Sequence, residues 1–591
     1  MDGHSTKEKT NIYKNFAWSI KEIWEFKHIY IILLFLDAVF KGFIPVISTV
    51  LMQNLINALQ NENVLLDFLI KIFCLITLSE LFQEIFNSYF QFILPKFETE
   101  YRAAFQIKLL KKASCLDAKT FENSDTYDLI SRVKYDADTG ILGYVNSGFE
   151  TISCIFTLIS YITILIYYNI FIIIVVSTIP IIRYFVNKKL NIFAYITVKK
   201  NTHKERKSNY YSWLITNSDM YKEIKLYDLF GFFIEGYKTN IKIKNDADIS
   251  MNKKIIRINS ILSVGEIIVN FFVLLTLLIK TYKKDILVGD FILYVNAING
   301  VKKNVTRVFQ IISTMHRNSL IIDQLQIFLK LDNEKINVMG LNIDKINQIR
   351  LINVSYKYKD TQEYVLKDIN ISICTGESIA ILGLNGSGKS TLIKIIMGIY
   401  HDYEGRIYIN DIDLKQIDVR SYRMRIGGLF QDFIRYEASI RKNIAFGNMK
   451  KHNDDYEIYK LLDNVGLEEF KEDIDLKLGY EFNGGRQISI GQWQKISLAR
   501  AMIKDADVYI MDEPNSALDM MSEKQLFQLF ENSFNDKIAI MVVHKFKEFT
   551  KKVSNIIVLD KGHIVEMGSH EGLLNNEGLY YTLYSMQNDN T

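Results

Sequence analysis

The segment Gly383-Leu384-Asn385-Gly386-Ser387-Gly388-Lys389-Ser390-Thr391 has the residue types and spacing needed to hold a polyphosphate. Backbone N–H groups must close around phosphate oxygens at a helix N-terminus, and glycine lacks the Cβ that would obstruct them. Lys389 then reaches the β and γ phosphates and Ser390 ligates Mg2+. The β-branched run Ser378 to Leu382 precedes the loop and a helical pattern, Leu392 to Met397, follows it, so the loop sits in the strand-loop-helix setting that this chemistry requires. The competing reading is a glycine turn without nucleotide. A second apolar strand, Val508 to Met511, ends in Asp512 and Glu513. Two carboxylates delivered to the edge of a phosphate site divide the work: Asp512 orients the Mg2+ shell and Glu513 polarises the attacking water. A surface acidic pair after a core strand is the plainer alternative. A third strand, Ile538 to Val543, presents His544, read as a γ-phosphate sensor against the alternative of a satisfied polar residue.

The elements that must position these groups occupy only the later part of the chain. Over 591 residues, 49% are hydrophobic and 13% aromatic, which excludes disorder. Long apolar runs fill much of the sequence before about Lys280, whereas the stretch after about Ile349 reads as ordinary α/β sequence, so a purely soluble protein is ruled out. A spanning helix needs about 20 apolar residues, and six candidate spans follow: about Ile29 to Leu51, Val64 to Leu94, Asn146 to Tyr168, Ile170 to Val186, Ile258 to Ile279 and Gly289 to Met315. Lys302, Lys303 and Arg307 interrupt the last, which suits a helix facing a water-filled cavity or one partly outside the membrane. Basic residues cluster between spans two and three (Lys108, Lys111, Lys112) and between spans four and five (Lys188 to Lys207), which places both termini in the cytoplasm by the positive-inside rule. Lys280, Lys283 and Lys284 run against that pattern.

The 71 Lys+Arg against 67 Asp+Glu leave a net charge of +4, too balanced for a nucleic-acid binder. Cys74, Cys115, Cys154 and Cys374 lie far apart and read as core residues, without zinc-site or disulfide-scaffold spacing. The polar stretch Met1 to Asn15 lacks signal-peptide character, so the first helix is expected to stay as an anchor. Within the spans, Asp37 and Lys41 are spaced to pair on one helix face. Glu266 has no opposite charge within four residues and either lines a cavity, attracting a cationic peptide, or sits near a helix end. Glu80 and Glu84 form a second candidate acidic patch.

The segment Ile488-Ser489-Ile490-Gly491-Gln492, which ends twenty positions before Asp512, resembles the signature motif of the ATP-binding-cassette family. The resemblance implies that Tyr358 stacks on adenine, that Gln431 is the Q-loop glutamine joining the Mg2+ and water-positioning groups, and that Ser516-Ala517-Leu518-Asp519 is the D-loop, with Asp519 near the nucleotide. It also implies that Ser489, Gly491 and Gln492 serve the nucleotide of a facing cassette. Ile490, in place of the first glycine of the usual pair, and Asn515, in place of Thr or Ser, depart from the pattern. In the membrane half, Phe121 to Asp128 resembles the first intracellular coupling segment of the exporter type, and Ile286 to Asp290 the entry to its sixth helix; Tyr221 to Ile224 is a second, positional candidate for docking.

The implied architecture is an all-α six-helix transmembrane domain over 1–325, a linker over 326–347 and an α/β P-loop nucleotide-binding domain over 348–591. One such half with one cassette implies a dimer, most simply with an identical chain, binding ATP and Mg2+ in the cell membrane, in contact with membrane lipid and with no nucleic-acid partner. Gln492 to Lys495 and Phe430 to Tyr436 are similar to peptidase-free transporters of lantibiotics and related modified peptides, and about 28 residues before the first span leave no room for a peptidase domain. A peptide or other amphipathic substrate is therefore expected. A lipid or multidrug exporter is the rival within transport, and a membrane-tethered, non-transporting ATPase or sensor is the rival from another class.

Overall fold

The computed structural model describes the backbone of residues 12–61, 64–334, 340–358, 361–514, 518, 520–533, 536–543 and 549–588. The chain divides into two compact units, each described by itself. One comprises Met1–Cys115 and Asn123–Leu331, the other Leu116–Glu122 and Asp332–Thr591.

The first unit is helical throughout its long elements: α1 (Ile12–Leu59), α2 (Leu66–Ser114), α4 (Ser124–Tyr168), α5 (Ile170–Thr216), α7 (Phe230–Tyr282) and α8 (Val288–Lys330), with the short α6 (Ser218–Leu226) before α7. A further short helix, α3 (Ala118–Glu122), follows α2 but belongs to the second unit. Among the described residues, α1, the part of α4 from Gly140, the part of α5 to Leu190, and α7 are long and apolar enough to cross a membrane. Helices α2 and α8 have the length but interleave charges, Glu80 and Glu84 in one and Lys302, Lys303 and Arg307 in the other. All six helices extend beyond the apolar runs, because once nucleated a helix propagates through polar sequence at little cost. The turn between α4 and α5 is as tight as the sequence indicates: Asn169 alone separates them, and its side chain accepts from the Phe171 N–H to cap α5. Apolar residues on α2 and α7, such as Phe73, Phe92, Phe271 and Phe272, stay exposed, as suits a lipid-facing surface. Close approach of α8 to α4 depends on Gly300, where a Cβ would lie 2.3 Å from the Tyr161 ring.

The second unit carries two sheets. A four-stranded antiparallel sheet has the order β2 (Leu366–Cys374), β1 (Gln348–Tyr356), β4 (Glu404–Ile409), β5 (Ile412–Asp413). A six-stranded sheet runs β10 (His563–Gly568), β9 (Asn555–Asp560), β3 (Ser378–Gly383), β8 (Ile538–Val542), β7 (Val508–Asp512), β6 (Ile426–Leu429). All but the β9–β10 pair are parallel. Parallel strands covered on both faces must be apolar throughout, and β7 and β8 are buried at every position. In register, Ile381 of β3 and Asp512 of β7 both pair with Val542 of β8, so the loop after β3 and the carboxylates of β7 emerge at one sheet edge.

Candidate nucleotide site

The loop after β3 closes on itself and opens the helix α9 (Lys389–Ile396). Two glycines are obligatory for steric reasons. A Cβ at Gly383, where φ is +148°, would lie 2.1 Å from the Leu559 carbonyl, and at Gly388, where φ is +105°, 2.7 Å from Leu366. The Lys389 ammonium folds back into the loop and donates to the carbonyls of Gly383 and Leu384 at 2.8 and 3.1 Å. Burial pushes its pKa down, while Glu513 and Asp512 act to raise it. Residues Asn385 to Thr391, with Val365, Gln431 and Glu513, line one open pocket of about 600 Å³.

Asp512 ends β7 almost fully buried, and burial raises its pKa while the Ser390 side chain opposes the shift. Its Oδ1 and the Ser387 hydroxyl oxygen are buried without hydrogen-bond partners. Such orphaned oxygens are costly unless something satisfies them, and hard oxygen donors beside a phosphate loop fit Mg2+ and a polyphosphate. The next residue, Glu513, adopts a left-handed backbone with φ of +50°. This sparsely populated conformation aims its carboxylate into the pocket, where the Gln431 amide donates to it at 3.1 Å. Lys389, Ser390, Gln431, Asp512 and Glu513 are thus brought together.

Tyr358 lies beside the first turn of α9. Its hydroxyl is 3.0 Å from that of Thr391, and its ring packs edge-on against Tyr356 and Tyr400. Ser489, Gly491 and Gln492 do not line the pocket. They begin the helix Ile490–Met502, where Ser489 is the N-cap: its hydroxyl accepts from the Gln492 N–H while the Gln492 side chain accepts from the Ser489 N–H. Ile490 is 54% exposed at the first turn of that helix. His544 and Asp519 lie outside the described residues, as do Asn515, Ser516 and Ala517.

Some contributors escape sequence reasoning. Buried Gln494 donates to the Glu513 carbonyl at 3.2 Å and so supports its unusual backbone; the available signal was a glutamine on an otherwise apolar helix face. Glu122 of α3 accepts from the Tyr400 hydroxyl, a pairing that no local spacing announces.

The family model for the ABC transporter matches residues 366–516. The chain is 32% identical over 98% of its length, and 95% of the relative's, to the subtilin transport ATP-binding protein SpaT of Bacillus subtilis. It is 29% identical over 96% of its length, and 95% of the relative's, to the nisin transport ATP-binding protein NisT of Lactococcus lactis. Its fold matches that of a bacterial Atm1-family ABC exporter with ATP bound, with a TM-score of 0.73, 17% identity, and coverage of 95% of this chain and 97% of that one. With a multi-pass membrane part and one ATP-hydrolysing cassette in a single chain, the protein belongs to the ABC transporter family, as an exporter-type half-transporter.

Proposed function

We propose that this chain exports a peptide of the lantibiotic or related modified type and works as a dimer of identical chains by alternating access. The observation that carries the reading is similarity along the whole chain, membrane part included, to a protein of subtilin transport. Substrate contacts belong to the membrane part, so likeness confined to the cassette would say nothing about cargo. The transmembrane domain spans 1–325, the linker 326–347 and the cassette 348–591, with the cassette and both termini cytoplasmic in the cell membrane.

Bound ATP places its phosphates along Gly383 to Thr391, and Ser390, Gln431 and Asp512 hold Mg2+, which supplies charge neutralisation at the β and γ phosphates. Glu513 polarises water, and its hydrogen bond from Gln431 holds the carboxylate in the pocket. Tyr358 serves adenine; Ser489, Gly491 and Gln492 serve the facing chain's nucleotide. His544 and Asp519 take γ-phosphate and D-loop roles by sequence position. ATP binding closes the cassettes on each other, and hydrolysis resets them.

The test is ATP-dependent uptake of modified peptides into inverted vesicles. Uptake that requires ATP and is abolished by Glu513→Gln supports the reading. Stimulation by lipids or hydrophobic drugs but not by peptides would point instead to a lipid or multidrug exporter. ATP turnover without movement of any solute would point to a tethered ATPase.

A further inference from the structure

Helices α5 and α7 run antiparallel side by side, and two contacts set their register. Arg183 of α5 donates to the Ser263 hydroxyl of α7 at 3.0 Å, and the Lys254 ammonium of α7 lies 4.8 Å from the centre of the Phe193 ring of α5. Lys189 of α5 is therefore about level with Arg257 of α7. Within the span, charge is paired: Arg183 also donates to Glu266 at 2.5 Å, and the Lys302 ammonium of α8 lies 3.2 Å from the same carboxylate. Glu266 is therefore not free to attract a cationic peptide.

Where the apolar runs end, charge is unpaired. Lys188 and Lys189 of α5 and Lys253, Lys254 and Arg257 of α7 are all exposed, and among the described residues no carboxylate pairs with any of them. The nearest acids along α7, Asp246 and Asp248, lie more than a turn farther from the apolar run. Beyond them the two helices return to pairing, with Lys244 against Glu205. Five like charges close to one level repel one another unless an anion intervenes. The positive-inside bias explains why cations gather between these spans, but not which faces they take. Those faces are exposed and apolar. On α5, Ile182, Phe185, Lys189 and Phe193 recur at helical spacing and are all exposed; on α7, Lys253, Arg257, Ile261, Val264 and Ile268 do the same. Each stripe is thus apolar along the span and cationic at its end. From Arg257 to Ile268 the α7 stripe runs about 16 Å at 1.5 Å per residue, about half of a ~30 Å hydrocarbon core and so the depth of one leaflet. The two stripes adjoin, because Lys254 reaches the Phe193 ring.

We propose that this face of α5 and α7 binds an anionic phospholipid, with the acyl chains along the apolar stripes and the phosphate held by Lys189 and Arg257, the other three cations around it. A zwitterionic lipid offers the same chains and phosphate but brings its own cation, which the belt repels, so the site selects by net headgroup charge. In the orientation proposed above, the lipid lies in the cytoplasmic leaflet.

The experiment purifies the full chain from detergent micelles that hold equal amounts of phosphatidylglycerol and phosphatidylcholine with identical acyl chains, and quantifies the lipid that stays bound. Neither peptide nor ATP is present, so failure of the export reading leaves the result untouched. Wild type should retain phosphatidylglycerol over phosphatidylcholine by about fivefold or more, the effect of one cation at an anionic headgroup. Lys189→Gln with Arg257→Gln should bring the ratio close to one, and Lys189→Arg with Arg257→Lys should keep it. Lys283→Gln with Lys284→Gln, which removes the same charge at the other end of α7, should also keep it. Wild type in about 1 M salt, where the Debye length is about 3 Å, should lose the preference, a readout that needs no variant to fold. Equal retention of both lipids by wild type overturns the site, as does a preference that survives Lys189→Gln with Arg257→Gln or that falls equally in the Lys283 and Lys284 control. Equal retention together with loss of the dimer in Lys189→Gln with Arg257→Gln would reassign the face to contact between chains.

Discussion

The Tyr400 hydroxyl donates to both carboxylate oxygens of Glu122, at 2.7 and 3.0 Å. Glu122 ends α3, the short helix that follows α2 in sequence yet packs with the cassette. Around this bond, Lys394 of α9 lies 3.4 Å from Glu122 and 3.2 Å from the Tyr400 oxygen. The Tyr400 ring stacks on Tyr356, and the Lys119 ammonium sits over both rings. Burial and the Glu122 carboxylate hold the Tyr400 hydroxyl protonated well above its ordinary range. Because α9 begins at Lys389 and carries Lys394 one turn later, phosphate contacts and the end of α3 share one rigid element.

Tyr400→Phe keeps the ring stack and removes the hydroxyl. The lost bond is worth about 1 kcal/mol, less than a buried charge-assisted bond, since the Glu122 side chain is 44% exposed. ATP affinity should be unchanged and peptide uptake per ATP hydrolysed should fall. A double-mutant cycle with Glu122→Gln checks the pairing, because losses that simply add would show that the two side chains act independently.

Removal of the Glu513 carboxylate tests the chemistry. Glu513→Gln leaves Lys389, Ser390 and Asp512 in place, so nucleotide binding should persist while turnover falls about 100-fold to 10,000-fold, the usual contribution of a positioned general base. Lys389→Ala should weaken nucleotide binding itself. Steady-state turnover near the wild-type rate in Glu513→Gln would remove this residue from its role.

What was legible in the sequence was what is local. The phosphate loop is contiguous, and its glycines are fixed by contacts within a few residues and one neighbouring strand. Asp37 and Lys41 pair at 2.7 Å because four residues make a helical turn. The meeting of Asp512 with the loop was legible because parallel strands ending in functional groups share a sheet edge. The partners of Glu266 were not, since Arg183 and Lys302 come from two other helices and reach it only through the rotation of α5 and α8, which hydropathy does not fix. Likewise, the contacts near the segment that resembles a coupling segment fall on Lys119 and Glu122, just before it and within it, because α3 ends at Glu122 and α4 starts at Ser124. The side chain of Tyr127 lies outside the described residues. Tyr221, in α6, is half-exposed and packs on Phe230.

Acid should loosen the second unit through a cluster around Glu334. Glu334 accepts from Arg423 at 2.6 Å and lies 3.2 Å from the His401 ring. Burial acts to raise the Glu334 pKa, but Arg423 and His401 together hold it below the ordinary value. Burial lowers that of His401, only partly offset by Glu334. A depressed histidine is more easily protonated in the unfolded chain, so its stability contribution is present above about pH 6.5 and falls away below it. The depressed carboxylate has the same sign, with its contribution lost at still lower pH. Thermal unfolding of the full chain between pH 7.5 and about 5 should show decreasing stability, and His401→Gln should flatten the upper part of that slope. An unaltered slope in the variant would assign the acid sensitivity elsewhere.

The last prediction concerns Ile490, the first residue of the signature helix. The Ser489 cap and its reciprocal bond with Gln492 order the first turn of this helix, with the positive end of the helix dipole behind it. A glycine at 490 would leave that surface bare. The isoleucine instead projects a β-branched side chain that is 54% exposed, so it packs little within its own cassette and, in the proposed dimer, would add bulk where the facing chain's nucleotide approaches. The penalty is steric and partial, on the order of 1 kcal/mol, or about fivefold in the closing equilibrium. Ile490→Gly should therefore raise maximal ATPase turnover several-fold without altering peptide preference. Ser489→Ala should act in the opposite direction, because loss of the cap costs about 1 kcal/mol and disorders the same turn. An ATPase titration of the two variants decides the matter: an unchanged or reduced maximal rate for Ile490→Gly means that the loop before Ser489 has adapted to the isoleucine and that this side chain does not restrain the engine.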